Sequence, residues 1–180
     1  MARLTELSDY RFFESAGSTR SLLDVGRPSV LRIHRTSNAL LQRAFASFVL
    51  CSIYKDMFKR GPQPALTHAV IFDEAHRASR LKLIPTMAKE CRKFGISLVL
   101  ASQEVRDFDP SLFSAIASYL ALRVTEHDAK VIAKIASSSE IEKRVIDRLK
   151  QLAKYTGLFF TEGNSRPVQL ALLNELGVGN

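Results

Sequence analysis

The sequence predicts an α/β protein with a mostly parallel sheet flanked by helices. Short apolar runs alternate along the chain with segments whose apolar residues recur at helical spacing. Two of the runs are almost continuously apolar, which is typical of parallel strands buried on both faces. The 180 residues are enough for one hydrophobic core, so we expect a single domain over residues 1–180.

The first predicted elements are a strand at 29–34 and a long helix. The strand segment is short and β-branched at alternate positions. Thr36 or Ser37 can cap the helix that follows, and Gly61-Pro62 ends it. We expect the buried face of this helix to consist of Leu41, Phe45, Phe48, Val49, Ile53 and Met57.

The central segment predicts two parallel strands joined by a helix. The apolar runs at 67–73 and 96–101 are the strands, and residues 83–94 between them carry apolar side chains on one helical face. Gly95 ends that helix. A right-handed crossover of this kind brings the carboxyl ends of both strands to one edge of the sheet.

The remaining sequence predicts a fourth strand, two helices and a C-terminal β-hairpin. These elements are expected at 119–124, 126–136, 140–154, 157–161 and 168–172. The last two are the hairpin strands, joined across Gly163-Asn164-Ser165.

The composition is that of a globular protein with an excess of positive charge. Lys and Arg number 26 against 18 Asp and Glu, a net charge of +8, which fits a nucleic-acid partner and a solvated surface equally well. No long apolar stretch or signal peptide is evident, so we expect no membrane segment and a cytoplasmic location. Cys51 and Cys91 each lie in an apolar helical pattern and are expected to be core residues.

The second predicted strand ends in two acidic residues. Because side chains alternate along a strand, the carboxylates of Asp73 and Glu74 point in different directions. One carboxylate can hold Mg²⁺ through its water shell, and the other can activate an attacking water. We therefore expect Asp73 to bind magnesium and Glu74 to be the catalytic base. The alternative is a strand that ends in acids, with Asp73 capping a turn.

Three further polar residues are candidates for contact with a nucleotide. Gln103 follows the strand at 96–101, where an amide can hydrogen-bond the γ-phosphate or the attacking water, or be an ordinary loop residue. Arg92 flanks the apolar face of its helix and could reach the nucleotide of a neighbouring subunit in a ring. The alternative for Arg92 is favourable electrostatics at a helix C-terminus. Arg123, at the end of the fourth strand, is a second candidate cation.

The sequence lacks the motif G-x-x-x-x-G-K-[ST], since none of its glycines is followed by Lys-Ser or Lys-Thr. That motif supplies the backbone cradle and the lysine that hold the phosphates of ATP. We therefore expect the chain alone to bind ATP poorly or not at all.

In order, the segments HAVIFDEAHR, ECRKFGISLVLASQ and LALRVTEHDAKVI resemble the C-terminal, Walker B-bearing part of HerA-type ATPases, relatives of FtsK and the conjugative-transfer motors. The resemblance covers about 28–172, and residues 1–27 look like the helical link that follows the P-loop half. It implies a RecA-like P-loop NTPase sheet that here lacks the P-loop strand. It also implies that Asp73 binds Mg²⁺ and Glu74 activates water. By the same resemblance Gln103 senses the γ-phosphate and Arg92 acts in trans.

The resemblance further implies a hexameric ring of identical subunits that hydrolyses ATP around duplex DNA, often with a nuclease partner. Because the P-loop is missing, we expect activity only when a P-loop half complements the chain. Without the P-loop strand, the sheet would have a gap of one strand. Another chain could fill this gap, the chain could be part of a larger motor, or the sheet could close up differently.

Two rival interpretations come from different classes of protein. The chain could be a non-catalytic oligomerisation or DNA-contacting module that kept the fold and lost nucleotide binding. The tetrapeptide DEAH also suggests a superfamily-2 helicase. Such a helicase is expected to carry Ser-Ala-Thr where this chain has Ala101-Ser102-Gln103, and a Gln-x-x-Gly-Arg motif that is absent here.

Overall fold

The computed structural model of the protein describes residues 21–24, 26–32, 38–75, 81–136, 142–161 and 164–170. The chain divides into two compact units, residues 1–101 and 102–180. The helices are α1 (Ala39–Arg60), α2 (Leu83–Glu90), α3 (Glu126–Ala136) and α4 (Glu142–Gln151). The strands are β1 (His68–Phe72), β2 (Ile96–Leu100), β3 (Ser118–Ala121), β4 (Thr156–Thr161) and β5 (Asn164–Gln169). The α/β class is confirmed, whereas the single domain over 1–180 stays a prediction.

Helix α1 ends where the sequence predicts but differs in its cap and its buried face. Its N-cap is Asn38, whose side-chain oxygen accepts hydrogen bonds from two main-chain N–H groups of the first turn, the shorter at 2.9 Å. The predicted caps, Thr36 and Ser37, lie outside the described residues. Gly61 ends the helix, as predicted. Phe48, predicted to be buried, is 47% exposed, because the buried face is turned toward Ala46 and Leu50 and shares only part of the predicted set. The buried residues are Leu41, Ala46, Leu50, Ile53 and Met57.

Strands β1 and β2 pair in parallel, as predicted, with His68 opposite Ile96 at the start of the ladder. The hydrogen bonds continue past the strand ends. The main-chain N–H of Ala101 donates to the carbonyl of Phe72 at 3.0 Å, and that of Ala75 donates to the carbonyl of Ala101 at 2.8 Å. Both strands therefore end at the same edge.

The prediction that these two strands are buried on both faces is wrong. Ile71 is 70% exposed and its register partner Val99 is 44% exposed, so the two form an apolar face open to solvent. Burial alternates along β1, which is typical of a sheet covered on one face only.

The strand predicted at 29–34 is also wrong over its described part. Residues 29–32 lie outside any helix or strand, and Val30 is 79% exposed. None of the described strands pairs with this segment, so its β-branched side chains lack a sheet to join. Residues 33–34 lie outside the described residues.

In the unit of residues 102–180, the strands form an antiparallel sheet in the order β3-β4-β5. The expectation of a mostly parallel sheet is therefore met by β1 and β2 and not by these strands. Only residues 162–163 separate β4 from β5, which is too short for a parallel crossover. The pairing starts with Thr161 opposite Asn164, so β5 begins four residues before the predicted strand at 168–172.

Helices α3 and α4 lie close to their predicted positions and bury one face each. The two helices and the antiparallel sheet share one hydrophobic cluster. Its buried members are Ala121, Ala129, Ala133, Val145, Leu149, Leu158 and Phe160.

The two cysteines lie in different environments. Cys91 is buried, as predicted, and this burial raises the pKa of its thiol. Cys51 is exposed on α1, so the prediction that it is a core residue is wrong. No helix in the described part of the chain is long and apolar enough to cross a bilayer.

We expect Gly95→Ala to destabilise the protein strongly. Gly95 has a φ of 69°, and a Cβ added there would lie 2.5 Å from the carbonyl oxygen of Ala65 and 2.8 Å from Cβ of Gln63. The left-handed backbone and the close contacts together should lower the free energy of unfolding by roughly 2–4 kcal/mol, measured by urea denaturation. Gly26→Ala is the control, because no atom lies within 4 Å of a Cβ there. Equal urea midpoints for the two variants would contradict this role of Gly95.

Candidate functional site

Asp73 lies directly after β1, at the edge where β1 and β2 both end. Its Oδ1 accepts a hydrogen bond from the main-chain N–H of Glu74 at 2.9 Å. This is the turn contact that the alternative interpretation expects. The other oxygen, Oδ2, accepts no hydrogen bond within the described residues, and the residue is exposed. Asp73 can therefore close the turn and still present one oxygen to a hydrated cation.

Glu74 occupies a strained backbone conformation, with a φ of 56°. For a residue other than glycine, the left-handed region costs about 1–2 kcal/mol, and such strain is concentrated at functional sites. The ladder holds the strained residue in place, since Ala75 is buried and its N–H bonds to Ala101. The next residue of the motif, His76, lies outside the described residues.

Asp73 fits the way in which proteins bind Mg²⁺ beside a nucleotide. Mg²⁺ keeps several waters and takes one or two carboxylates together with phosphate oxygens, rather than a cage made of protein alone. Among the described residues, no group of three or more His, Cys, Asp or Glu side chains could hold a metal ion. One accessible carboxylate oxygen at a strand end is enough for a Mg²⁺ ion that is held mainly by waters and phosphate oxygens.

Arg92 lies in the 3-10 turn Cys91–Phe94 that follows α2. Cys91 and Phe94 are buried and anchor the turn, while Arg92 and Lys93 between them are exposed. This exposure suits both interpretations of Arg92, a cation at a helix end and a residue that reaches a neighbouring subunit. Its role stays a prediction.

Gln103 and Arg123 line the same cleft, of about 640 Å³, in the unit of residues 102–180. Arg123 lies two residues beyond β3 rather than at the strand end that the sequence predicts. The structure thus brings together two of the three polar residues that are candidates for contact with a nucleotide. Asp73, Glu74 and Arg92 belong to the unit of residues 1–101.

The buried carboxylate of Asp128 connects the segment at Val105 with the start of α3 at Thr125, and both segments border this cleft. Asp128 is 7% exposed, and its Oδ2 accepts a hydrogen bond from Thr125 Oγ1 at 2.9 Å. Its Oδ1 accepts one from the main-chain N–H of Val105 at 3.4 Å. Thr125 Oγ1 also accepts from the N–H of Asp128 at 3.3 Å, which completes a cap at the start of α3. This role was not predicted from the sequence, although Thr125-Glu-His-Asp128 has the spacing of a capping box.

The cations of the cleft differ in how they are paired. The Arg106 guanidinium forms a close ion pair with Glu104, which raises the pKa of Arg106. Lys150 Nζ lies 2.9 Å from a carboxylate oxygen of Glu126. Arg123 is exposed and forms no hydrogen bond or ion pair within the part of the chain that the structure describes. The cleft therefore contains one cation whose guanidinium is open to a ligand.

No family model matches the sequence. The chain is 36% identical over 107 residues to the probable helicase MJECL08 of Methanocaldococcus jannaschii, a match that covers 55% of this chain and 20% of the relative. This chain therefore spans about one fifth of the length of that protein.

Two solved structures have a similar fold. VirB4 of Thermoanaerobacter pseudethanolicus matches with a TM-score of 0.60 at 22% identity, over 79% of this chain and 40% of the VirB4 chain. The genome packaging NTPase B204 from Sulfolobus turreted icosahedral virus 2, in complex with AMPPCP, matches with a TM-score of 0.53 at 19% identity, over 72% of this chain and 62% of the other. These neighbours are FtsK/HerA-like P-loop ATPases. At such identities the likeness shows the fold alone.

The Glu126 carboxylate predicts a pH-dependent contribution to stability. Hydrogen bonds from Lys150 and then Lys130 lower the pKa of this carboxyl from 4.5 to about 2. Because the folded state lowers the pKa, the stabilisation is present above pH 4.5 and is lost as the pH falls toward 2. Wild type and Glu126→Gln should therefore differ most in unfolding free energy at neutral pH and low salt, and converge in acid.

Urea denaturation at a series of pH values measures this difference. Glu142→Gln is the control, because Glu142 begins α4 and forms no ion pair within the described residues. A difference between wild type and Glu126→Gln that stays constant from neutral to acid pH would refute the assignment.

Proposed function

We propose that this chain is the C-terminal, Walker B-bearing part of a ring-forming ATPase of the HerA/FtsK class that translocates duplex DNA. It hydrolyses ATP when a P-loop half complements it. The observation that carries the proposal is the acidic pair Asp73-Glu74 at the end of β1, beside the parallel strand β2. The fold shared with VirB4 and B204 supports the same class.

In this proposal the two acidic residues have separate roles. Asp73 would hold Mg²⁺ through its open Oδ2, and the bound ion would offset the charge of the ATP phosphates. Glu74 accepts a proton from the attacking water. The strained backbone of Glu74, held by the ladder on both sides, favours a fixed position for that carboxylate.

The other predicted residues act on the nucleotide. Gln103 senses the γ-phosphate with its side-chain amide, and Arg123 contributes a positive charge in the same cleft. Arg92, exposed on its turn, stabilises the transition-state charge at the nucleotide of the neighbouring subunit. A nuclease that works with the ring is part of the proposal only through the family resemblance.

The need for a complementary half is supported by the missing phosphate-binding motif and the open apolar face. No G-x-x-x-x-G-K-[ST] occurs in the sequence. The exposed side chains of Ile71 and Val99 leave one face of the parallel pair available for a covering element.

A second candidate function follows from the same missing motif. The chain could be an oligomerisation or DNA-contacting module that does not hydrolyse ATP in any context. The two candidates differ in one measurable property, which is hydrolysis after complementation.

We expect the chain alone to release no phosphate from ATP, and the chain combined with a P-loop half of a HerA-type ATPase to release phosphate in the presence of duplex DNA. In the combined system, Glu74→Gln should lower kcat by about 10²–10⁴-fold, because the general base is lost while the fold and the magnesium carboxylate remain. Phosphate release and the urea midpoint of each variant are the measurements.

The control is Glu142→Gln, a carboxylate of the other unit that should leave kcat unchanged. If complementation restores hydrolysis and Glu74→Gln does not abolish it, the assignment of the base is wrong. If no hydrolysis is restored, the non-catalytic module is the better description.

A further inference from the structure

The cleft of about 640 Å³ that contains Gln103 and Arg123 collects cations from three separate elements. Arg106 comes from the 3-10 turn Val105–Asp107, Arg123 from the segment after β3, and Lys150 from the end of α4. We propose that this cleft binds a phosphate group, with Arg123 as the main contact and Lys150 as the second cation.

The acidic residues of the cleft leave the charge of Arg123 uncompensated. Both oxygens of Asp128 accept hydrogen bonds from the protein itself, so the carboxylate serves the fold and does not face a ligand as a free acceptor. Glu104 is neutralised by its close ion pair with Arg106. Glu126 pairs with Lys130 and Lys150, and these two lysines balance the charges of Glu126 and Asp128, which leaves the positive charge of Arg123 without a counter-charge.

Arg123 is the side chain best placed to bind an anion. It is exposed, lines the cleft, and forms no hydrogen bond or ion pair in the described part of the chain. A guanidinium offers a planar set of N–H donors that match two phosphate oxygens at once. His127, exposed at the start of α3, lines the same cleft and adds a ring N–H donor.

The chemistry of the lining favours phosphate over the other common ligands. The net positive charge disfavours a metal ion, and the cleft has the size of sites that hold a nucleotide-sized molecule. Phosphate, with more than one negative charge and several acceptor oxygens, gains more from two cations and an amide than a carboxylate does. The source of the phosphate is a nucleoside triphosphate or the backbone of duplex DNA. The inference rests on the proposed function in one respect, because the proposed function supplies these two ligands.

Binding can be measured on the chain as it is, without a P-loop half. In ¹H–¹⁵N NMR titrations, we expect a short DNA duplex, or ATP without metal at the high concentrations that weak binding without a P-loop requires, to cause saturable shifts at Arg123, His127 and Lys150. Arg123→Ala should weaken binding about tenfold, the loss of roughly one charge-assisted contact. Arg123→Lys should retain part of the affinity, because the charge remains without the bidentate geometry. Lys150→Gln should cause a smaller loss.

Two controls separate this site from other effects. Lys143→Gln removes a cation from the same helix as Lys150 but outside the cleft, and should bind as wild type does. Glu74→Gln should also bind as wild type, so a loss of hydrolysis and a loss of phosphate binding remain distinguishable. Urea midpoints confirm that each variant is folded.

The two titrations identify the source of the phosphate. Saturation by ATP alone assigns a nucleotide, and saturation by the duplex alone, weakened steeply by salt, assigns the DNA backbone. Saturation by both supports a general phosphate site. The proposal is overturned if neither ligand saturates shifts in the cleft, if Arg123→Ala binds as tightly as Lys143→Gln, or if potassium acetate at equal ionic strength reproduces the shifts.

Discussion

The parallel pairing of β1 with β2 is the constraint on which the position of the acidic pair depends. It begins at Gly95, whose left-handed backbone turns the chain into β2. The carbonyl of Gly95 accepts hydrogen bonds from the main-chain N–H of Thr67 at 2.8 Å, from that of His68 at 3.1 Å, and from Thr67 Oγ1 at 3.0 Å. These bonds fix where both strands start. Since a register slip would move every side chain to the other face, they also fix where Asp73 leaves the sheet.

At the far end of the ladder, Glu74 has a strained backbone conformation that neighbouring hydrogen bonds hold in place. Glu74 is left-handed, yet the residues around it stay hydrogen-bonded to the neighbouring strand through Phe72, Ala75 and Ala101. A strained residue persists only when its surroundings determine its conformation, as they do here. The arrangement connects a backbone turn near Gly95 to the position of a carboxylate at the opposite end of the sheet.

Local backbone conformation could be predicted from the sequence. The exposure of side chains, and the contacts between residues that are distant in sequence, could not. Gly61 ends α1 at a φ of 79°, which favours a residue without Cβ, a property of the residue itself. Apolar spacing shows which side chains can share a face but not whether another element covers it, so Phe48 and Ile71 were wrongly predicted to be buried. The cleft could not be predicted, because Arg123 and Lys150 are distant in sequence. They line the same cleft only through the packing of α3 and α4 on the sheet.

The open face at Ile71 and Val99 limits how a complementary half could bind. Burying such side chains fully stabilises by about 1.5–3 kcal/mol each, so the exposed parts of these two correspond to roughly 2–3 kcal/mol. Association of separate chains costs about 4–15 kcal/mol in lost freedom, which this face alone does not offset. In the described part of the chain, β1 and β2 pair only with each other, and each hydrogen bond of an added strand contributes about 0.5–1.5 kcal/mol. A complementary half that both adds a strand and covers the face could therefore bind, whereas one that only covers the face could not.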